Sequence, residues 1–131
     1  MQTGQVRLGY FHFPFLGDES IVAAEASECA SDQGKFWEYH DYLFTHQNGE
    51  NQGAFSNDNL KTFAQEIGLD SASFDQCLDS GKYKDAVAQQ GEFARQLGVQ
   101  STPSFLVNGT PMVGAQPFDT FQKLIDQFLK N

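Results

Sequence analysis

The amino-acid sequence predicts one helix-rich α/β domain: a short strand, a run of helices, a strand pair and a last helix. Three observations carry that prediction. A run of β-branched and aromatic residues near the N-terminus ends at Pro14 and Gly17-Asp18. Apolar residues then recur at helical spacing through the middle of the chain. Past Gly98 the period becomes extended around Asn108-Gly109, before a final helical stripe. No repeat or linker divides the 131 residues, and a chain of that size can bury about two-thirds of its unfolded surface in one core.

The elements follow in order. Residues 6–13 alternate poorly but have strand composition, and the turn residues after them close the strand. From Ser20, SIVAAEASECASDQGKFWEYHDYLF places Val22, Ala26 and Cys29, then Phe36, Tyr39 and Leu43, at helical spacing, with Gly34 marking a break between two segments. THQNGENQGAFS, residues 45–56, is a polar loop. Ser56 caps a helix with Leu60, Phe63, Ala64 and Ile67 on its apolar face, and Gly68 ends it. Asp70 caps the next helix, with Phe74, Cys77 and Leu78 on one side and Ser80-Gly81 as the stop. A third helix covers residues 82–97, with Tyr83, Ala86, Val87, Phe93, Ala94 and Leu97 inward. Residues 104–107 and 111–113 flank Asn108-Gly109, a hairpin turn in which both residues take positive φ. A final helix starts at Pro117, where a missing N–H costs nothing, and carries Phe118, Phe121, Leu124, Ile125, Phe128 and Leu129 on one stripe.

Composition excludes several function classes. Seventeen acidic residues against 8 basic give a formal charge of -9, and no Lys or Arg cluster interrupts them, which argues against nucleic acid and anionic membranes as partners. The acidic balance is read as a solubility feature. No apolar run approaches the roughly 18 residues of a membrane span, so no membrane insertion is expected. The first ten residues show no basic region followed by an apolar stretch, so no secretory signal is visible. His12, His40 and His46 do not stand at metal-ligand spacing, and neither a metal nor a cofactor is expected. No Ser/His/Asp pattern, nucleotide-binding glycine loop or carboxylate pair stands out. Trp37, Phe36, Tyr39 and Phe44 form an aromatic group read as core packing, a peptide-binding patch being the less favoured reading. Cys29 and Cys77 are too far apart for a CxxC pair. As residues they leave two readings open, small core side chains or a bonded pair.

Two strings in combination, GKFWEYHDYLF and GVQSTPSFLVNG, supported by GQVRLGYFHFPF and NLKTFAQEIGLDSASFDQCLDSG, make nearly the whole chain similar to the DsbA-like branch of the thioredoxin superfamily. These are thiol-disulfide oxidoreductases of the bacterial cell envelope. The resemblance implies a single domain over residues 1–131, with its sheet part at 5–15 and 99–131 and a helical insertion at 18–97. It implies a cis peptide at Thr102-Pro103, with the backbone of Thr102 pairing with a polypeptide substrate as an added strand. It favours a structural disulfide between Cys29 and Cys77, because cysteines at matching places in relatives look paired; a link across 48 residues is worth roughly 3 to 4 kcal/mol. It places the family in the periplasm or cell envelope.

In that family a strand, and then a CxxC at a helix start, come before the edge strand that residues 5–13 match. The sequence holds neither. The expected architecture is therefore a thioredoxin-like fold with a helical insertion, N-terminally truncated so that its central strand is missing, and with no catalytic residues. Neither Cys29 nor Cys77 sits at a helix N-terminus, where thiolates are stabilised. Loss of a central strand would expose two strand edges. The remaining strand could move inward, another polypeptide could fill the gap, or two copies could pair as a homodimer, which is the preferred expectation. The expected function is a DsbA-like protein that is redox-inactive as this chain; the alternative is a non-catalytic peptide-binding module using the proline loop.

Overall fold

A computed structural model describes all of residues 1–131. The chain forms two compact units, one of Met1–Phe11 with Phe93–Asn131 and one of His12–Glu92.

The larger unit is helical. It contains α1 (Asp18–Ser31), α2 (Phe36–Thr45), α3 (Asn57–Glu66), α4 (Ser71–Asp79) and the first part of α5 (Lys84–Gln96). Its core is built from Ala23, Ala26, Cys29 and Ala30 of α1 against Tyr39, Leu60, Ala64, Phe74, Cys77 and Leu78. The small residues of α1 let neighbouring helices approach its axis, and the large side chains Tyr39, Leu60 and Phe74 fill the space and are fully buried. Tyr39 reaches the interior with its hydroxyl satisfied, donating to the Leu60 carbonyl at 2.8 Å. Burial pushes the Tyr39 phenol well above its ordinary range. Ser56 and Asp70 cap α3 and α4 as the sequence predicts, accepting from the N–H groups of Asn59 and Ser73.

The cap of α1 comes from elsewhere. Gly17 at its N-cap has no side chain to offer. Instead Asn51 donates to the Leu16 carbonyl at 2.7 Å and accepts, long at 3.5 Å, from the Glu19 N–H. Glu19 in turn accepts from the N–H groups of Gly53 and Phe55 at 2.7 and 3.1 Å. The polar loop 45–56 is thereby tied to the start of α1.

The smaller unit carries the antiparallel hairpin of β1 (Ser104–Val107) and β2 (Thr110–Val113), in the register Ser104↔Val113 to Val107↔Thr110. Asn108 and Gly109 take φ 49° and 85°, the left-handed pair that a two-residue turn requires. Helix α6 (Phe118–Leu129) sets Phe121 edge-on to Phe105, ring centroids 4.8 Å apart. Of its expected stripe, Phe121, Leu124, Ile125 and Phe128 are half-buried, while Phe118 and Leu129 at the two ends of the helix are exposed. None of it is fully buried, because a two-stranded ribbon is too narrow to cover a three-turn helix.

The strand expected at residues 6–13 does not form: the sheet has two strands, and neither includes those residues. No backbone hydrogen bond engages residues 5–9. The His12 N–H donates to the Gln90 side chain at 2.8 Å rather than to a neighbouring strand. Strand composition makes backbone extended, but a strand exists only beside a partner that takes its hydrogen bonds. The inward stripe expected for α5 is also only partly realised. Val87 and Ala94 are buried, while Ala86, Phe93 and Leu97 are exposed.

Candidate functional site

The loop before β1 is built from Ser101 to Ser104. The Ser104 hydroxyl donates to the Ser101 carbonyl at 2.7 Å, and the Gly114 N–H donates to the Pro103 carbonyl at 2.8 Å, extending the hairpin ladder by one step. Between these two ties the Thr102-Pro103 peptide is cis, and both residues are exposed. No hydrogen bond within the protein engages the backbone of Thr102. β1 pairs only with β2, so its outer edge is unpaired. The result is an exposed backbone donor and acceptor at Thr102 that run into a free strand edge, the arrangement that strand addition uses.

Cys29 and Cys77 belong to the helical unit, where they are joined to each other: the sulfurs are 2.02 Å apart and the Cα atoms 5.9 Å. The link ties α1 to α4. Its two ends differ in environment. Cys29 is 1 % exposed and Cys77 8 %, and Cys77 lines an open cleft of 330 Å³ together with Asp32, Ser73, Gln76, Ser80 and Lys82. Asp32 Oδ2 stands 3.9 Å from Cys77 Sγ. Lys82 Nζ donates to that oxygen at 2.6 Å, and the Tyr83 hydroxyl donates to the other. Partial burial works against the Asp32 carboxylate, but the hydrogen bonds from Lys82 and Tyr83 outweigh it and hold its pKa below the usual range. The same contact with Asp32 raises both Lys82 and Tyr83.

Two further features escape sequence reasoning. His12, 5 % exposed, has Nε2 2.8 Å from Glu28 Oε1. The pair is sixteen positions apart and no motif marks it. Glu25, also in α1, is buried, and desolvation pushes its carboxyl up against the opposing pull of Lys84.

The aromatic group is divided by helical phase. Tyr39 enters the core, while Trp37, His40 and Phe44 line another face of α2, with Trp37 43 % and Phe44 58 % exposed. Their rings are in series, Trp37 to His40 at 5.3 Å and His40 to Phe44 at 4.7 Å. The core expected of the whole group is met by Tyr39 alone, because positions 37, 40 and 44 fall on one side of the helix and 39 on another. No group of three or more His, Cys, Asp or Glu side chains is arranged to hold a metal ion. No helix is long and apolar enough to cross a membrane.

Comparison with known proteins gives consistent matches. The family model described as Thioredoxin matches residues 1–127. "Probable disulfide bond formation protein D" of Bacillus cereus is 32% identical over 134 residues, which cover 99% of this chain and 61% of that protein. The chain therefore spans less than two-thirds of the length of this relative. Among solved structures, a thioredoxin-like oxidoreductase from Silicibacter pomeroyi superposes with a TM-score of 0.77 at 28% identity, covering 93% of this chain and 68% of that one. Oxidised BdbD from Bacillus subtilis superposes with a TM-score of 0.81 at 24% identity, covering 92% and 67%.

Proposed function

This chain belongs to the thioredoxin superfamily in its DsbA-like form, and we propose that it supplies the polypeptide-binding part of a thiol-disulfide oxidoreductase of the bacterial periplasm or cell envelope. Thr102 and Pro103 are the substrate-binding residues. An extended polypeptide pairs with the backbone of Thr102 and continues along the free edge of β1. The observation that carries this reading is the exposed, unengaged backbone of Thr102 beside an unpaired strand. Residues 1–131 contain no CxxC, and thiol-disulfide turnover needs a thiolate with a resolving partner. As this chain, the protein is redox-inactive and binds without turning over, with Cys29–Cys77 acting as a staple within the helical unit. The free edge of β1 also fits a second copy, pairing as a homodimer.

Hydrogen exchange with and without an unstructured, reduced polypeptide tests the reading. The expected result is protection of the amides of Thr102 and the β1 edge, together with no turnover in insulin reduction or dithiol oxidation. Binding that leaves those amides unprotected would overturn the assignment of the loop. Turnover that disappears in Cys29→Ser would overturn the redox assignment.

The second reading is a peptide-binding module with no redox partner at all, and the same loop supports it. Coding sequence upstream of Met1 separates the two: an in-frame strand pattern followed by CxxC favours the first, and a nearby stop favours the second.

A further inference from the structure

The cleft beside the disulfide lies in the helical unit and has no part in the function proposed for the Thr102 loop. We propose that it is a thiol-modification site, at which a small thiol adds to Cys77 and never to Cys29.

The two sulfurs are chemically inequivalent by position. Cys29 of α1 is 1 % exposed and belongs to the buried core cluster with Ala26 and Ala30, so it offers an incoming nucleophile no approach. Cys77 is one of the residues lining the cleft, and its Sγ stands 3.9 Å from Oδ2 of Asp32, which lines it too. Exchange requires the attacking sulfur to reach the sulfur it bonds, so access alone fixes which half of the pair is modified. The step is balanced. A small thiol ionises and its thiolate bonds to Cys77 Sγ. The Cys77–Cys29 bond breaks with its electron pair going to Cys29, and the proton lost by the thiol ends on the Cys29 sulfur. The thiol itself is the reductant; the products are a mixed disulfide at Cys77 and a buried thiol at Cys29.

Asp32 and Lys82 set the rate of this entry in opposite directions. Asp32 Oδ2, 3.9 Å from Cys77 Sγ, repels an approaching thiolate, and Lys82, 2.6 Å from that oxygen, offsets the repulsion. The other charged groups on α4 are Asp75 and Asp79, and Asp79 is paired with Lys61 at 2.8 Å. At a separation near 4 Å one unit charge changes an encounter by on the order of five- to tenfold even with water-like screening, and by more if the site is dry.

The test treats the folded protein with 2-mercaptoethanesulfonate, quenches in acid, alkylates free thiols and maps the peptides by mass. The expected result is the adduct on Cys77 with Cys29 alkylated. The rate should rise five- to tenfold in Asp32→Asn and fall by a similar factor in Lys82→Gln. The opposite signs separate electrostatic control from simple loosening, which would accelerate both variants. An adduct on Cys29, two variants that shift the rate in the same direction, or no adduct short of the denaturant concentration that unfolds the protein would each overturn the proposal.

Discussion

Replacing Cys29 and Cys77 together by alanine removes the only covalent link across the helical unit, and the cost follows from where the link lies. The cysteines are 48 positions apart. Closing a loop of that length removes about 14 cal/mol/K of entropy from the unfolded chain, or about 4 kcal/mol at 25 °C. Both cysteines belong to the core cluster, and the small voids left by losing their sulfurs add about 1 kcal/mol. The expected total, about 5 kcal/mol, is a large fraction of the 5–15 kcal/mol typical of a folded domain. The assay is urea unfolding followed by the fluorescence of Trp37, the one tryptophan of the chain, which lies on α2 of this unit. Wild-type protein reduced under denaturing conditions and refolded with its thiols kept free should lose the loop contribution alone. A fall of less than about 1 kcal/mol in both would refute the reasoning, since it would mean that the unfolded ensemble gains little freedom when the link is cut.

Asn51→Ala removes the bond to the Leu16 carbonyl and should cost about 1 kcal/mol in thermal unfolding. Gly17→Ala should cost more, because φ there is 128° and an added Cβ would run into the Asn51 amide. Asp32 has a folded pKa below its unfolded one, so its contribution to stability is complete above the ordinary carboxylate pKa and is lost as pH falls through the lowered folded value. Urea midpoints measured from pH 6 down to pH 2.5 should therefore show a shallower acid loss in Asp32→Asn than in wild type; parallel curves would remove the cluster as a source of acid sensitivity.

The helical unit was legible to the degree that its signals are local. Ser56 and Asp70 announce α3 and α4 because a cap bonds to an N–H three residues on. Gly34 separates α1 from α2 as expected, with φ 70° and its N–H donating to the Ser31 carbonyl. The aromatic-rich string around Trp37 was harder to read. Composition marks it as apolar, but only helical phase against real neighbours sends Tyr39 inward and leaves Trp37 and Phe44 outside. At the candidate site the sequence pointed to Thr102 and Pro103 through resemblance. That the backbone of Thr102 is unengaged depends on where the bonds of Ser104 and Gly114 go. The cleft at Cys77 was not legible at all, because Asp32 and Lys82 lie forty-five and five positions from it and meet only when α1 and α4 pack.

Local sequence is enough for the elements whose causes lie within about four residues: the Asn108-Gly109 turn, the caps of α3 and α4, the helix stops, and the apolar periodicity of α6. Each of these is decided by backbone conformation and nearest side chains. Tertiary structure alone decided the rest. It denied residues 6–13 a strand by giving them no ladder partner, supplied the cap of α1 from Asn51, and paired His12 with Glu28. It also gave the two cysteines unequal access to solvent. Burial, pairing and exposure depend on groups far apart along the chain, and nothing in the immediate neighbours of a residue specifies them.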